Sequence, residues 1–377
     1  MVEKIVFYCE SDTFGGHEKM ALTAHTAILQ RYNSISIFWL INSENQGLKN
    51  ALEIAGLNYM TLPNMKVLSL WRNPLCGIWR ICNTSAVLKQ MSPDLVMVIQ
   101  GSILISFCGL ISAWVGRIRY CSYIPMVFSI SNVRKYRYPA LADYLWSILY
   151  RAASSYITID TEQALRLRQN NRRALVAVVD NYVPKCEPPR NKHDAKATLR
   201  IPANKKVLTI IGRIVFPHKC QDWIFRELKD DPFLADKFVL FVGNGADAPT
   251  LQAMLTPDLQ DRFGIIGWKN DLCDVYSSTD VLLIPSKIEG VPLVMLEALS
   301  YGIPVVGTDQ DGMRSWLPAQ WRFTWGDRNG FKSSVEHALS VTSQDVWKNI
   351  TERLSIVHDE NRFAAQFSKA LRSYCRD

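Results

Sequence analysis

The sequence predicts an α/β protein made of two Rossmann-like, doubly wound domains. Three features predict it: a length of 377 residues, short β-branched runs alternating with helical patterns along the chain, and one proline- and charge-rich interruption near the middle. A single hydrophobic core rarely keeps growing beyond ~250–300 residues, so two cores are expected. The composition, 48% hydrophobic and 21% charged, is that of a globular protein without repeats or low-complexity blocks.

In the first half the strand-like runs are KIVFYC, SISIFWL, DLVMVI, RYCSYI and SYITID. VAVVDNYVP is followed by PKCEPPRNKHDAK, which has no apolar period, so a domain boundary is expected at 184/185. The rhythm restarts with KKVLTIIG, KFVLFVG, FGIIGW, DVLLIP and IPVVGT, which are expected to fill a second domain over 185–355. Apolar residues at helical spacing (Val346, Ile350, Leu354, then Phe363, Phe367, Leu371) predict C-terminal helices, with 356–377 packing back on the first domain. Two such domains are expected to face each other across a cleft, with ligands beyond the carboxyl ends of the strands.

The N-terminus lacks the long apolar region of a secretory signal, which predicts a cytoplasmic protein. Ile99 to Val115 approaches the length of a membrane span, yet Gln100, Gly101, Ser102, Ser106 and Ser112 interrupt it, and a strand feeding a buried helix is expected instead. Nine cysteines at irregular spacing form no C-x-x-C pair and are expected to be reduced, mostly buried thiols.

The net charge of +8 is uneven: residues 1–184 hold 18 Lys+Arg against 11 Asp+Glu, whereas 185–377 hold 25 against 24. Two basic clusters have aromatic neighbours: Trp71, Arg72, Trp79 and Arg80, and then Arg134, Lys135, Tyr136, Arg137 and Tyr138. They suggest peripheral contact with an anionic membrane, with an ordinary solvated basic face as the alternative. Nucleic acid is not an expected partner.

The strongest motif is DVLLIPSKIEGVPLVMLEALSYGIPVVGT, residues 280–308. A buried strand is expected to end at Pro285, a loop to carry Glu289, Gly290 and Val291, and Pro292 with Leu293 to open a helix bearing Glu297. The amides of that first turn, with the helix dipole, favour an anion. Upstream, LTIIGRIVFPHKCQD places Gly212 and Arg213 at a strand end and Lys219 six residues on, two cations suited to a leaving diphosphate. Gly243 and Asn244 follow another strand, and Ile266 and Trp268 mark the end of the next. In the first half, Gly15 and Gly16 precede a helix beginning near His17, where paired glycines let backbone amides approach a ligand.

Together these stretches resemble the family-4 retaining glycosyltransferases, of the GT-B fold and the group 1 type, specifically over 208–312 and only suggestively before 184. Glu289 and Glu297 stand where that family has its E-x7-E element, and Arg213 and Lys219 match its G-R…K element. The resemblance implies a catalytic trio of Glu289, Arg213 and Lys219. It implies a donor site of Gly15, Gly16, Gly212, Gly243, Asn244, Ile266, Trp268, Gly290, Val291, Pro292, Leu293 and Glu297, in which Glu289 contacts the sugar hydroxyls and Glu297 the ribose. It further implies transfer from a UDP- or GDP-type sugar to a glycan or lipid-linked oligosaccharide, without a metal, as in O-antigen or capsule synthesis. Many members carry a histidine after the fourth strand of the first domain, but RYCSYIPMVFS has none, so that either Tyr123 or a backbone group takes the positioning role, or the acceptor is held differently. Arg134 and Arg137 are candidates for an acceptor phosphate. The rival readings are an epimerase or hydrolase of the same fold, and a sugar-nucleotide-binding partner without turnover.

Overall fold

A computed structural model describes residues 4–32, 34–62, 74–132, 136–185 and 187–374. The chain separates into two compact units, residues 1–182 with 359–377, and residues 183–358.

The first unit holds a seven-stranded parallel sheet, ordered β3-β2-β1-β4-β5-β6-β7. Its strands are β1 (Lys4–Cys9), β2 (Ser36–Asn42), β3 (Tyr59–Leu62), β4 (Leu95–Ile99), β5 (Tyr120–Tyr123), β6 (Ser155–Thr158) and β7 (Leu175–Val178). The helices returning between them are α1 (Gly16–Arg31), α2 (Gln46–Ile54), α3 (Pro74–Met91), α4 (Phe107–Gly116), α5 (Pro139–Leu149) and α6 (Thr161–Asn170). β4 is buried at every position, as is β1 after its first residue, so these central strands read as continuous apolar runs, the mark of a sheet covered on both faces. The stretch Ile99 to Val115 is the end of β4, a turn and most of the ten-residue α4, and no helix among the described residues is long and apolar enough to cross a membrane.

The second unit holds a six-stranded parallel sheet, ordered β10-β9-β8-β11-β12-β13. Its strands are β8 (Lys206–Ile211), β9 (Lys237–Val242), β10 (Phe263–Ile266), β11 (Val281–Ile284), β12 (Val305–Thr308) and β13 (Arg322–Phe323). Its helices are α7 (Lys192–Thr198), α8 (Phe216–Lys219), α9 (Gln221–Leu228), α10 (Ala248–Met254), α11 (Cys273–Ser278), α12 (Leu293–Ser300), α13 (Asp311–Arg314), α14 (Arg328–Leu339) and α15 (Ser343–Val357). Val346, Ile350 and Leu354 of α15 are buried. The last helix, α16 (Glu360–Ser373), is part of the first unit: Phe363, Phe367 and Leu371 are buried, and the Tyr374 hydroxyl accepts from the Ala177 amide at 3.0 Å.

Strand order reverses between β1 and β4 in the first sheet and between β8 and β11 in the second. At such a switch point neighbouring loops leave in opposite directions and open a crevice at the carboxyl ends of the strands.

Several sequence expectations change here. Arg80, expected to meet lipid head groups, is only 3% exposed, and its guanidinium is paired with Glu10 inside the first unit. Tyr8 also donates to Glu10 Oε1 at 2.6 Å, and the Glu10 amide donates to Ser106 Oγ at 2.8 Å. Burial pushes the Glu10 carboxyl up, which the Arg80 charge opposes. A charge in that setting needs a partner, so Arg80 is committed to the core. Trp71, Arg72, Arg134 and Lys135 lie outside the described residues. Cys76 and Cys82 are exposed on α3, whereas Cys9, Cys108, Cys121, Cys220 and Cys273 are buried free thiols.

On α1, His25 accepts through Nδ1 from the Trp39 indole N–H at 2.8 Å. Burial lowers its pKa to about 4. Because the unfolded histidine takes up its proton near pH 6.5, the folded unit loses stability as pH falls below that value. Urea midpoints should therefore drop between pH 7 and pH 5 by about 2 kcal/mol of stability. A His25→Gln variant, whose Oε1 can still accept from Trp39, should lose most of that dependence; an unchanged pH slope in the variant contradicts this assignment.

Candidate functional site

The second unit gathers its candidate residues on loops that leave β8 and β11, the two strands at the switch point. β8 ends at Ile211, and Gly212, Arg213 and Ile214 lead into the short α8, which ends at Lys219. Gly212 and Gly243 both have positive φ, +145° and +139°, a conformation that side chains disfavour. A Cβ on Gly243 would lie 2.1 Å from the Gly212 carbonyl oxygen, so two backbones pass here at a distance that only glycine allows. The loops are then tied together: the Ile214 amide donates to Asn244 O at 2.9 Å, the Phe216 amide to the Asp247 carboxylate at 2.8 Å, and the Gly243 amide to Ile266 O at 3.0 Å.

Lys219 and Glu289 form an ion pair through Nζ and Oε1. Glu289 is 8% exposed and Lys219 remains partly open to solvent. Burial alone would raise the Glu289 carboxyl, but the Lys219 charge beside it, with hydrogen bonds from Lys219 and Ser286, holds it below the usual glutamate value. Glu289 is accordingly ionised at neutral pH.

His218, which no motif in the sequence singles out, fixes this pair in place. Its Nε2 lies 2.8 Å from the Ile288 carbonyl oxygen, and its own carbonyl accepts from the Lys287 amide at 3.0 Å. The two loops are thus joined in both directions immediately beside the ion pair. Ile288 O can only accept, so His218 carries its proton on Nε2. Burial and the neighbouring Lys219 charge both lower the His218 pKa and favour the neutral ring. Arg213 lies on the same loop after β8, and its carbonyl accepts from the Gln221 side chain at 2.8 Å.

The acidic loop is held from beneath as well. Gly290 and Gly312 approach so closely that a Cβ on Gly312 would stand 1.6 Å from the Gly290 carbonyl oxygen. The Thr308 hydroxyl donates to Ser286 O at 2.6 Å. Gly290 and Val291 are buried, while Pro292 and Leu293 are half-buried. Pro292 stands just before α12 as its cap residue, with extended backbone, rather than inside the helix, and Leu293 opens the first turn. One turn further on, Glu297 accepts from the Tyr276 hydroxyl at 2.6 Å, and the Tyr276 ring stacks on Tyr301. Tyr276 thereby orients the second acid. Asp280 is occupied by structural bonds to the Val207 amide and Lys192, and Asp274 by an ion pair with Arg190.

At the rim, Asn244 is exposed, Ile266 is half-buried, and Trp268 is 52% exposed with its indole N–H donating to Asn270 at 3.1 Å. Among the described residues there is no group of three or more histidine, cysteine, aspartate or glutamate side chains able to hold a metal ion.

In the first unit Gly15 and Gly16 lie on the loop that leaves β1, at the β1/β4 switch point. Gly15 precedes α1 and its amide donates to the buried Glu18 carboxylate at 2.8 Å, while Gly16 is exposed. Glu18 therefore caps its own helix. His17 Nε2 lies 2.8 Å from Glu18, and its ring fills the space beside Gly101. Tyr123 ends β5 but is 2% exposed and packs on Phe367, so its ring belongs to the core. Arg137 is exposed, and Arg134 lies outside the described residues.

Comparisons with known proteins accord with this geometry. Residues 205–340 match the family described as "Glycosyl transferases group 1". The chain is 28% identical over 179 residues to an Escherichia coli UDP-Gal:alpha-D-GlcNAc-diphosphoundecaprenol alpha-1,3-galactosyltransferase, covering 45% of this chain and 46% of that protein. The chain thus spans less than half the length of this curated relative. Among solved structures, an Anabaena protein, HepE, in complex with UDP and glucose superposes with a TM-score of 0.77 at 18% identity, over 98% of this chain and all of that one. The lipopolysaccharide outer core galactosyltransferase WaaB gives 0.66 at 20%, over 98% and 99%. The fold is GT-B, two Rossmann-like domains with parallel sheets of seven and six strands.

Two stability outcomes follow. Lys219→Met leaves Glu289 buried beside no ammonium and should cost about 2–3 kcal/mol, whereas adding Glu289→Gln should recover part of that loss. Additive single and double variants in urea unfolding would show that the pair contributes nothing. Gly312→Ala forces the acidic loop off its backbone support and should lower the melting temperature of the second unit by several degrees, which differential scanning calorimetry would detect.

Proposed function

We propose that the chain is a retaining glycosyltransferase that moves a sugar from a UDP- or GDP-type nucleotide sugar to a glycan or lipid-linked oligosaccharide. The observation that carries this reading is the Lys219–Glu289 ion pair at the β8/β11 switch point, with Arg213 on the same loop after β8 as Lys219. The group 1 match over 205–340 covers every residue involved, and the names of the E. coli relative and the Anabaena protein favour UDP over GDP.

In this reading Arg213 grips the diphosphate with its planar fork of donors, and Lys219 adds a point charge. A lysine ammonium has three N–H donors. One is committed to Glu289, and the others are available to phosphate oxygens. Glu289, kept ionised, accepts from hydroxyls of the donor sugar, and Glu297, oriented by Tyr276, accepts from the ribose. The amides at the start of α12, including Leu293, and the backbones of Gly212, Gly243, Gly290 and Val291 border the donor. Ile266, Asn244 and Trp268 border the base.

In the chemical step the bond from the anomeric carbon to the diphosphate oxygen breaks and that carbon bonds to the acceptor hydroxyl oxygen. The hydroxyl proton passes to the departing diphosphate oxygen on the same face, so configuration is retained without a carboxylate nucleophile. Charge that grows on the diphosphate is offset by Arg213 and Lys219, which is the work a metal ion performs elsewhere. The biological setting proposed is assembly of a bacterial surface polysaccharide, O-antigen or capsule, in the cytoplasm at the inner face of the cytoplasmic membrane. The E. coli relative, whose named acceptor is a diphosphoundecaprenol-linked sugar, supports that setting.

Incubation with a panel of UDP- and GDP-sugars and a diphosphoundecaprenol-linked acceptor, followed by mass spectrometry and proton NMR of the product, tests the proposal. Product should form only when acceptor is present, with the donor's anomeric configuration. Sugar that is hydrolysed or epimerised regardless of acceptor would instead identify a hydrolase or epimerase. With the active donor, Lys219→Ala should lower kcat by about 10²- to 10³-fold with little change in donor KM. A matching change in both would reduce Lys219 to a binding residue.

A further inference from the structure

The outer face of the first unit carries an apolar surface that its core does not explain. α5 has no buried residue at all. Leu141, Tyr144, Leu145 and Ile148, spaced i, i+3, i+4 and i+7, form one stripe along it and are 38% to 58% exposed. The first turns of α3 repeat the pattern: Leu75, Ile78 and Trp79 are 59% to 77% exposed, and Cys82 continues the same face. The inner residues of both helices, Leu88 of α3 and Trp146 and Leu149 of α5, pack into one cluster with β1, β4 and β6, so both helices cover the same side of the sheet. Each helix returns from the carboxyl end of a strand, which puts Leu75–Trp79 and the N-terminal turn of α5 toward the same end of the sheet, the end with the switch-point loops.

Charge selects the occupant. α3, α4 and α5 contain one carboxylate between them, Asp143, and it is turned inward to accept from both the amide and the hydroxyl of Ser131 at 2.9 and 2.6 Å. The exposed charges within and beside these helices are Lys89, Arg117, Arg119, Arg137 and Arg151, all cationic. Tyr136, Tyr138, Tyr144, Trp79 and Trp114 lie exposed among them. Apolar stripes, aromatic residues suited to an interface and flanking cations, without a carboxylate facing outward, match an anionic bilayer surface. A second copy of this chain would bring like charges together.

We propose that the outer stripes of α3 and α5 are the surface by which this protein seats on an anionic phospholipid membrane. The apolar residues enter the head-group boundary and the cations meet lipid phosphates. This places the contact on helix faces, keeps Trp79 and Arg137 of the two basic clusters, and leaves Arg80 out. The inference rests on the membrane-contact part of the proposed function and on none of its chemistry, so vesicle binding and sugar transfer are read separately.

Flotation of the full chain with vesicles of phosphatidylglycerol and phosphatidylcholine, at moderate salt, tests it. The wild-type chain should float with these vesicles and not with pure phosphatidylcholine. Leu141→Gln with Leu145→Gln and Ile148→Gln should reduce the bound fraction by at least about tenfold. The stripe is solvent-exposed, so its far-ultraviolet circular dichroism and melting temperature should match the wild type; an independent pair, Ile78→Gln with Trp79→Gln, should also weaken flotation. Undiminished flotation of both variants, or no flotation of the wild type, overturns the proposal. So does a wild-type dimer in sedimentation equilibrium that the triple variant converts to monomer, since the face would then be a self-interface.

Discussion

The ion pair between Lys219 and Glu289 joins two loops seventy residues apart in sequence, and the arrangement around it follows from the need to keep a carboxylate charged while burying it. A buried carboxylate without a cation would take up a proton. The lysine prevents that, and His218 prevents the two loops from separating by bonding to both sides of the junction. Gly212, Gly243 and Gly312 let the underlying backbones come close enough for those bonds to form.

Strand order explains why this chemistry lies where it does. β8 and β11 are neighbours in the sheet, yet the chain leaves them in opposite directions, so their loops part and expose the ends of both strands. The same reversal between β1 and β4 gathers Glu10, Gly15, Gly16, His17 and Gly101 in the first unit. There the polar groups are mostly spent on internal support: Glu10 holds Arg80 and Tyr8, and Glu18 caps α1. The two switch points thus differ in exposure: the Glu10–Arg80 pair of the first is buried at both ends, whereas the Lys219–Glu289 pair of the second keeps its ammonium partly open to solvent.

Much of this was legible in the sequence because it depends on local pattern. Buried parallel strands read as unbroken apolar runs, and KFVLFV and DLVMVI could hardly be anything else. The E-x7-E spacing, with Gly-Val-Pro-Leu between the acids, pointed to a strand-loop-helix unit, and the loop, α12 and Glu297 are there, with Pro292 one position earlier in the helix entry. What stayed hidden depends on partners distant in the chain. Arg80 sits beside Trp79 like any surface cation, and only the fold brings Glu10 to it. Tyr123 looks like a stand-in for a missing histidine until Phe367, from the far end of the chain, covers its ring. His218 owes its role to a backbone carbonyl, which leaves no trace in residue type. The stripe on α5 had a helical period, but periodicity alone does not tell a face that meets the core from one that meets a membrane.

The account depends most directly on where a nucleoside diphosphate binds, and a crystal structure with UDP at high resolution measures that. The diphosphate oxygens should lie within about 3 Å of the Arg213 and Lys219 side-chain nitrogens, at the carboxyl ends of β8 and β11, with the ribose near Glu297. Density for the nucleotide elsewhere on the chain, with the loop cations turned away from phosphate, would contradict it.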